Sequence, residues 1–127
     1  MPSMPGQIGW IDLIVDDAPA LRDFYQGVAG WVHSPVQMGD YQNFCMHPPG
    51  NPQPVAGICH ARGGHEGFPP VWLIYIIVDD LDLSIRRCQE LRGKLLRPAA
   101  AMGPRGRFCV IEDPAGAICA LYEPAKS

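Results

Sequence analysis

Asp12 lies inside an otherwise apolar stretch, Ile8-Gly9-Trp10-Ile11-Asp12-Leu13-Ile14-Val15. A carboxylate taken out of water needs a partner, solvent or a higher proton affinity, because an unpaired one is costly. His60 closes a second apolar stretch, Val55-Ala56-Gly57-Ile58-Cys59-His60. Brought together, Asp12 would orient the His60 imidazole as a general base, or the two would form a structural hydrogen-bonded pair. Asp12 would otherwise suit a cationic ligand. Tyr75 and Tyr122 carry phenols that either donate to a ligand carbonyl or oxyanion or line a pocket. Trp10 offers a ring face to a flat ligand. Arg62 opens a Gly-rich stretch with His65 and Glu66, a lid or a solvated loop. Arg105 and Arg107 would attract an anion or are ordinary surface charges.

The cysteines are Cys45, Cys59, Cys88, Cys109 and Cys119, an odd number with no CxxC spacing. They lie among apolar neighbours, so a zinc finger or redox motif has no support, and buried free thiols in a reducing cytoplasm are expected. No GxSxG elbow, P-loop, HExxH or dinucleotide fingerprint is present. The chain has 127 residues, 47% of them hydrophobic, which suits one domain or two small modules sharing a core. Net charge is −3 and the lysines are Lys94 and Lys126, so a nucleic-acid partner is not expected. The longest apolar run, Val71 to Val78, is far below the ~20 residues of a membrane span. The opening Met-Pro-Ser-Met-Pro-Gly lacks the basic-then-apolar order of a secretory signal.

The elements that must hold these residues come in two copies. Ile14-Val15-Asp16-Asp17 recurs as Ile77-Val78-Asp79-Asp80, and Gly30 recurs as Gly93, both at an offset of 63. Met38-Gly39 and Phe44-Cys45 recur at 64, and Ile58-Cys59 recurs as Ile118-Cys119 at 60. One order of short matches at nearly one offset marks a duplicated module. Module one spans 7–62, module two 71–124, and a Gly/Pro-rich linker spans 63–70. In module one a strand over Ile8–Val15 precedes a carboxylate cap at Asp16-Asp17 and a helix over Ala18–Ala29. Leu21, Phe24, Tyr25 and Val28 would form its buried face, and Gly30 would end it. Strands follow near 31–36, 41–47 and 55–61. Module two repeats the plan: a strand over 71–78, a helix over 82–92 stopped by Gly93, then strands near 94–98, 107–111 and 117–122.

Two β-α-β-β-β modules in this order resemble the vicinal oxygen chelate superfamily, which includes glyoxalase I, bleomycin-resistance proteins, fosfomycin-resistance transferases and extradiol dioxygenases. The resemblance covers about Gln7 to Pro124. It is carried by Val-Asp-Asp before a helix with Asp23-Phe24-Tyr25, by Gly30-Trp31, and by Asp113-Pro114-Ala115-Gly116-Ala117, similar to the family's Asp-Pro-x-Gly-Asn hairpin. It implies an α+β fold in which two paired modules form one domain over 1–127 and enclose a cavity. Such markers identify fold more than chemistry.

Alternate strand residues share a face. On the first strand Ile11, Leu13 and Val15 are assigned to the helix, and Trp10, Asp12 and Ile14 to the cavity. The repeat assigns Leu73, Tyr75 and Ile77 inward on the fifth strand, Ile58, His60 and Arg62 on the fourth, and Ile118, Ala120 and Tyr122 on the eighth. His60, Asp12 and Tyr75 are then the catalytic candidates. Trp10, Tyr122, Arg62, Leu73 and Ala120 are the ligand-binding candidates. Metal-dependent relatives resembling glyoxalase I would place ligands at Trp10, Leu73, His60 and Ala120. Of these only His60 can ligate, so no standard metal site is expected and no cofactor is assigned. A displaced divalent site using Asp12, His60 and Glu123 or His47 is the metal alternative. The expected function is binding of a small aromatic or oxygenated molecule in the cavity. The alternative is a lyase or isomerase with His60 as base, Asp12 orienting it and a tyrosine on the oxyanion. A homodimer is expected, as for many relatives.

Overall fold

The computed structural model describes residues 4–62 and 66–126. Gly63, Gly64 and His65, the first residues of the expected linker, lie outside the described residues. The chain is α+β, with β1 (Ile8–Val15), α1 (Ala18–Ala29), β2 (Val32–Gln37), β3 (Gln42–His47) and β4 (Ala56–His60). There follow β5 (Trp72–Ile77), α2 (Leu81–Glu90), β6 (Lys94–Ala101), β7 (Gly106–Glu112) and β8 (Ile118–Pro124). Compact units form from Ile11–Trp72 and from Met1–Trp10 together with Leu73–Ser127.

In the Ile11–Trp72 unit the strands run in the order β2-β3-β4-β1. β1 and β4 are parallel, while β2-β3 and β3-β4 are antiparallel. Asp17 caps α1 by accepting from the Ala20 N–H at 3.1 Å, and Gly30 ends it at φ 74°, a left-handed conformation that favours glycine. One stripe of α1, Ala18, Leu21 and Tyr25, packs on Leu13, Phe44, Met46 and Ile58. Fully burying each large apolar side chain contributes about 1.5–3 kcal/mol. Phe24 and Val28, expected on the buried face, are instead 54% and 68% exposed. The stripe through Leu21 and Tyr25 is narrow, and Trp31 and Trp72 complete the core beside it. The Trp72 indole N–H donates to the Tyr25 hydroxyl at 3.3 Å.

In the other unit the order is β5-β8-β7-β6, and Ile77 of β5 also bonds Gly6 and Gln7, just before β1. Leu81 of α2 packs on Cys109 and Leu121, flanked by Ile76, Val78 and Ile85. Asp80 caps α2 by accepting from the Leu83 N–H at 3.1 Å. The helix stop differs from the expectation. The positive φ falls on Arg92, at 75°, not on Gly93. Gly93 is needed for closeness: a Cβ there would lie 2.4 Å from Cys88 Sγ. The Asp113 hairpin is local turn chemistry, with its Oδ1 accepting from Ala115 and Ala117 N–H at 2.8 and 2.9 Å.

Candidate functional site

Register decides which residues share the sheet face opposite the helices. β1 pairs with β4 as Asp12↔Gly57, Leu13↔Ile58, Ile14↔Cys59 and Val15↔His60. Leu13 and Ile58 lie in the core beneath α1, so Val15 and His60 face that side too. Asp12, Ile14, Gly57 and Cys59 face the other way. His60 and Asp12 are therefore on opposite faces, and the expected base–carboxylate pair does not form across the sheet. Ile58 and Arg62, expected inward with His60, leave that row with it. The error is one of offset. Ile58 does not correspond to Ile118 but to Leu121, which lies in the core beneath α2. Leu121 stands 63 residues after Ile58, the same offset as the strand–helix joints. The shift from 60 to 63 is odd, and an odd slip exchanges the faces.

Asp12 is 9% exposed, and its carboxylate accepts a hydrogen bond from the Cys59 thiol. Burial first, and the neighbouring Asp12 charge second, push the Cys59 thiol far above its ordinary range, so it remains protonated. Cys45 lies opposite Gly57 on the same face. Asn43, also buried, turns its Oδ1 to accept from the His60 backbone N–H at 2.9 Å. Ser34 pairs with Cys45 in register, and its Oγ lies 2.7 Å from His47 Nε2. Cys59, Ser34 and His47 thus join Asp12 on one polar face. In sequence Cys59 is one apolar-flanked thiol among five, and Ser34 carries no motif. Strand alternation from Asp12 combined with the offset of 63 would have found Cys59.

On its own face His60 meets the edge of the Tyr41 ring, centroids 5.3 Å apart. The Arg62 guanidinium stacks 4.1 Å over the same ring and pairs with Asp40 at 3.5 Å. These groups form a separate cluster at the end of β4.

In the second unit the expected row holds. Tyr75 pairs with Ala120 and Ile77 with Tyr122, while Ile76 faces the α2 core. Leu73, Tyr75, Ala120 and Tyr122 therefore share the face opposite α2. Phe108, opposite Tyr122 in register, brings its ring centroid to 6.0 Å from that of Tyr75. The Tyr122 hydroxyl donates to the Arg105 carbonyl at 2.6 Å. Arg107 instead pairs with Glu123 at 3.4 Å and Asp82 at 3.3 Å, and Glu123 also accepts from the Leu81 N–H at 2.9 Å. Arg107 and Glu123 are thus committed to α2.

A family model for the Glyoxalase/Bleomycin resistance protein/Dioxygenase superfamily matches residues 7–119. The chain belongs to that superfamily. A relative carrying the glyoxylase name, CFP32 of Mycobacterium tuberculosis, is 34% identical over 123 residues, covering 93% of this chain and 46% of the relative. The anthracycline biosynthesis protein DnrV of Streptomyces peucetius is 32% identical over 120 residues, covering 94% of this chain and 42% of DnrV. The chain thus spans less than half the length of these curated relatives. Among solved structures, methylmalonyl-CoA epimerase from Mycobacterium tuberculosis matches with a TM-score of 0.57 at 20% identity, covering 99% of this chain and 93% of that one. The Mn(II)-bound glyoxalase from Novosphingobium aromaticivorans matches with a TM-score of 0.61 at 20% identity, covering 99% of this chain and 42% of that one. At that identity the likeness is one of fold.

By the sequence repeat, the glyoxalase-like metal pattern falls on Trp10, Leu73, His60 and Ala120. With the offset corrected, Gly57 replaces His60: it faces Asp12 as Ala120 faces Tyr75. Trp, Leu, Gly and Ala side chains offer no metal donor, so the residues at these positions do not fit the metal. Among the described residues, no three His, Cys, Asp or Glu side chains gather into a metal-binding group. Also among them, no helix is long and apolar enough to cross a membrane.

Proposed function

We propose that the chain binds a small, flat, oxygenated organic molecule on the sheet face turned from α2, with Trp10 of the same unit stacking on it, by ring contacts and hydrogen bonding without the standard chelated metal. The observation that carries this reading is the row of Leu73, Tyr75, Ala120 and Tyr122 on one face, with the Phe108 ring against Tyr75 and side chains at Leu73 and Ala120 that hold no metal donor. An aromatic surface with few polar groups suits a planar ligand better than a metal chelate. DnrV is named for anthracycline biosynthesis, and anthracyclines are planar and oxygen-rich, which makes that class the first to test. The sheet separates His60 from Asp12, so the pair offers no base–carboxylate couple for a lyase or isomerase. A homodimer in a cytoplasmic setting completes the proposal.

Calorimetric titration with a soluble anthracycline, together with elemental analysis of the purified protein, tests it. Saturable binding to metal-free protein is expected. Trp10→Leu should weaken it about tenfold, the order of one aromatic contact, while Trp31→Leu, in the core beneath α1, should leave it unchanged. Stoichiometric metal whose removal abolishes binding would refute the proposal, as would binding indifferent to Trp10.

A further inference from the structure

Ser34 and His47 are diagonal neighbours on the face of β2 and β3 turned from α1. Both are partly exposed, and the Ser34 hydroxyl meets His47 Nε2 at 2.7 Å. A serine hydrogen-bonded to an imidazole nitrogen is arranged to lose its proton as its oxygen attacks a carbonyl. The same face of β2 presents Val32 and Val36 on either side of Ser34, exposed by 51% and 39%. They form an apolar strip on which a short acyl chain can rest. β2 pairs only with β3 among the described residues, so the dyad stands on an outer strand.

We propose that Ser34 and His47 form a nucleophile–base dyad that accepts a short acyl group from an activated ester. Ser34 Oγ bonds to the carbonyl carbon as its proton passes to His47 Nε2. The bond to the leaving oxygen then breaks, and the alcohol or phenol departs with the proton from His47. Water attacks the acyl-serine next, giving its proton to His47. Collapse releases the carboxylic acid and returns that proton to Ser34, so the sum is ester plus water to acid plus alcohol.

The full chain treated with p-nitrophenyl acetate, followed by peptide mass spectrometry, reads this out. The expected result is p-nitrophenol release with one acetyl group trapped on Ser34. Ser34→Ala should lose both, Ser34→Cys should keep an acylated residue at that position, and His47→Gln should slow acylation about 100-fold or more. Circular dichroism checks that each variant is folded. Ser34 lies in the Ile11–Trp72 unit and not on the face turned from α2, so Ser34→Ala should retain its affinity for the anthracycline, which separates this activity from the binding proposal. Acetyl found only on Lys94, Lys126 or the N-terminus, or a rate unchanged in folded Ser34→Ala, would overturn the dyad.

Discussion

Asp12 was the residue most visibly out of place in the sequence, and the structure keeps it buried. Its partner is a different one. A thiol directly before the end of a second apolar run carries no signal in its own segment. His60, being polar, drew the assignment instead. Pairing a carboxylate with the most conspicuous polar residue works only when the faces are known, and alternation makes that a matter of odd or even offset. All five cysteines are free thiols, but only Cys59 and Cys109 are buried; Cys45, Cys88 and Cys119 are partly exposed, against the expectation of five buried thiols. Burial pushes the Cys109 thiol up to about 11, and Cys59 is raised further. Native-state alkylation with iodoacetamide at about pH 8 should therefore label the partly exposed Cys45 and Cys88 well before Cys59 and Cys109. Peptide mapping with and without urea checks this; prompt native labelling of Cys59 would show that the Asp12 face is open to reagent.

Helix α2 shows how an element is fixed by groups distant in sequence. Its cap, Asp80, was legible as part of a repeated Val-Asp-Asp, but the second anchor was not. Glu123, on β8, accepts from the Leu81 N–H and holds Arg107, which also meets Asp82. The Leu81 N–H, then Arg107, hold the Glu123 carboxyl below its ordinary value of 4.5. The sign follows from linkage: a carboxylate whose proton affinity is lower in the folded state contributes stability above its unfolded value. That contribution fades as pH falls below about 4.5 and is lost through the lower folded value. Thermal melts should show Glu123→Gln lowering the midpoint at neutral pH and flattening part of the acid limb. Equal acid sensitivity in wild type and variant would remove Glu123 as its source. Gly93 gives a second test at this scale. Gly93→Ala must displace Cys88 or the Cys88 carbonyl, each within 3.1 Å of the added carbon. A loss of about 1–3 kcal/mol is expected by urea denaturation, since overpacking forces neighbours to shift. Adding Cys88→Ala should recover part of it.

At the scale of the whole molecule, β2 lies at an edge of the strand order in one unit and β6 at an edge in the other. Each carries a proline, Pro35 and Pro98, and β6 is further broken by register shifts around Arg97. A proline gives no N–H to a neighbour, and irregular edges discourage strand-to-strand addition. Strand-to-strand addition at these edges is thereby disfavoured. Pro35→Val should produce larger, concentration-dependent species by sedimentation velocity, while wild type keeps one distribution. An unchanged profile would deny Pro35 that role.

Strand and helix positions, both carboxylate caps, the Gly30 stop and the duplicated plan were all legible, because each depends on residues a few positions apart. The Tyr75 row was legible for the same reason. Which side of β4 faces Asp12 was not, because it depends on hydrogen-bond register between strands more than forty residues apart in the chain. A single odd slip there leaves every local preference satisfied and turns the whole row over. Local chemistry therefore determined the elements, while long-range pairing alone decided that Asp12 meets Cys59 rather than His60, and that Ser34 meets His47.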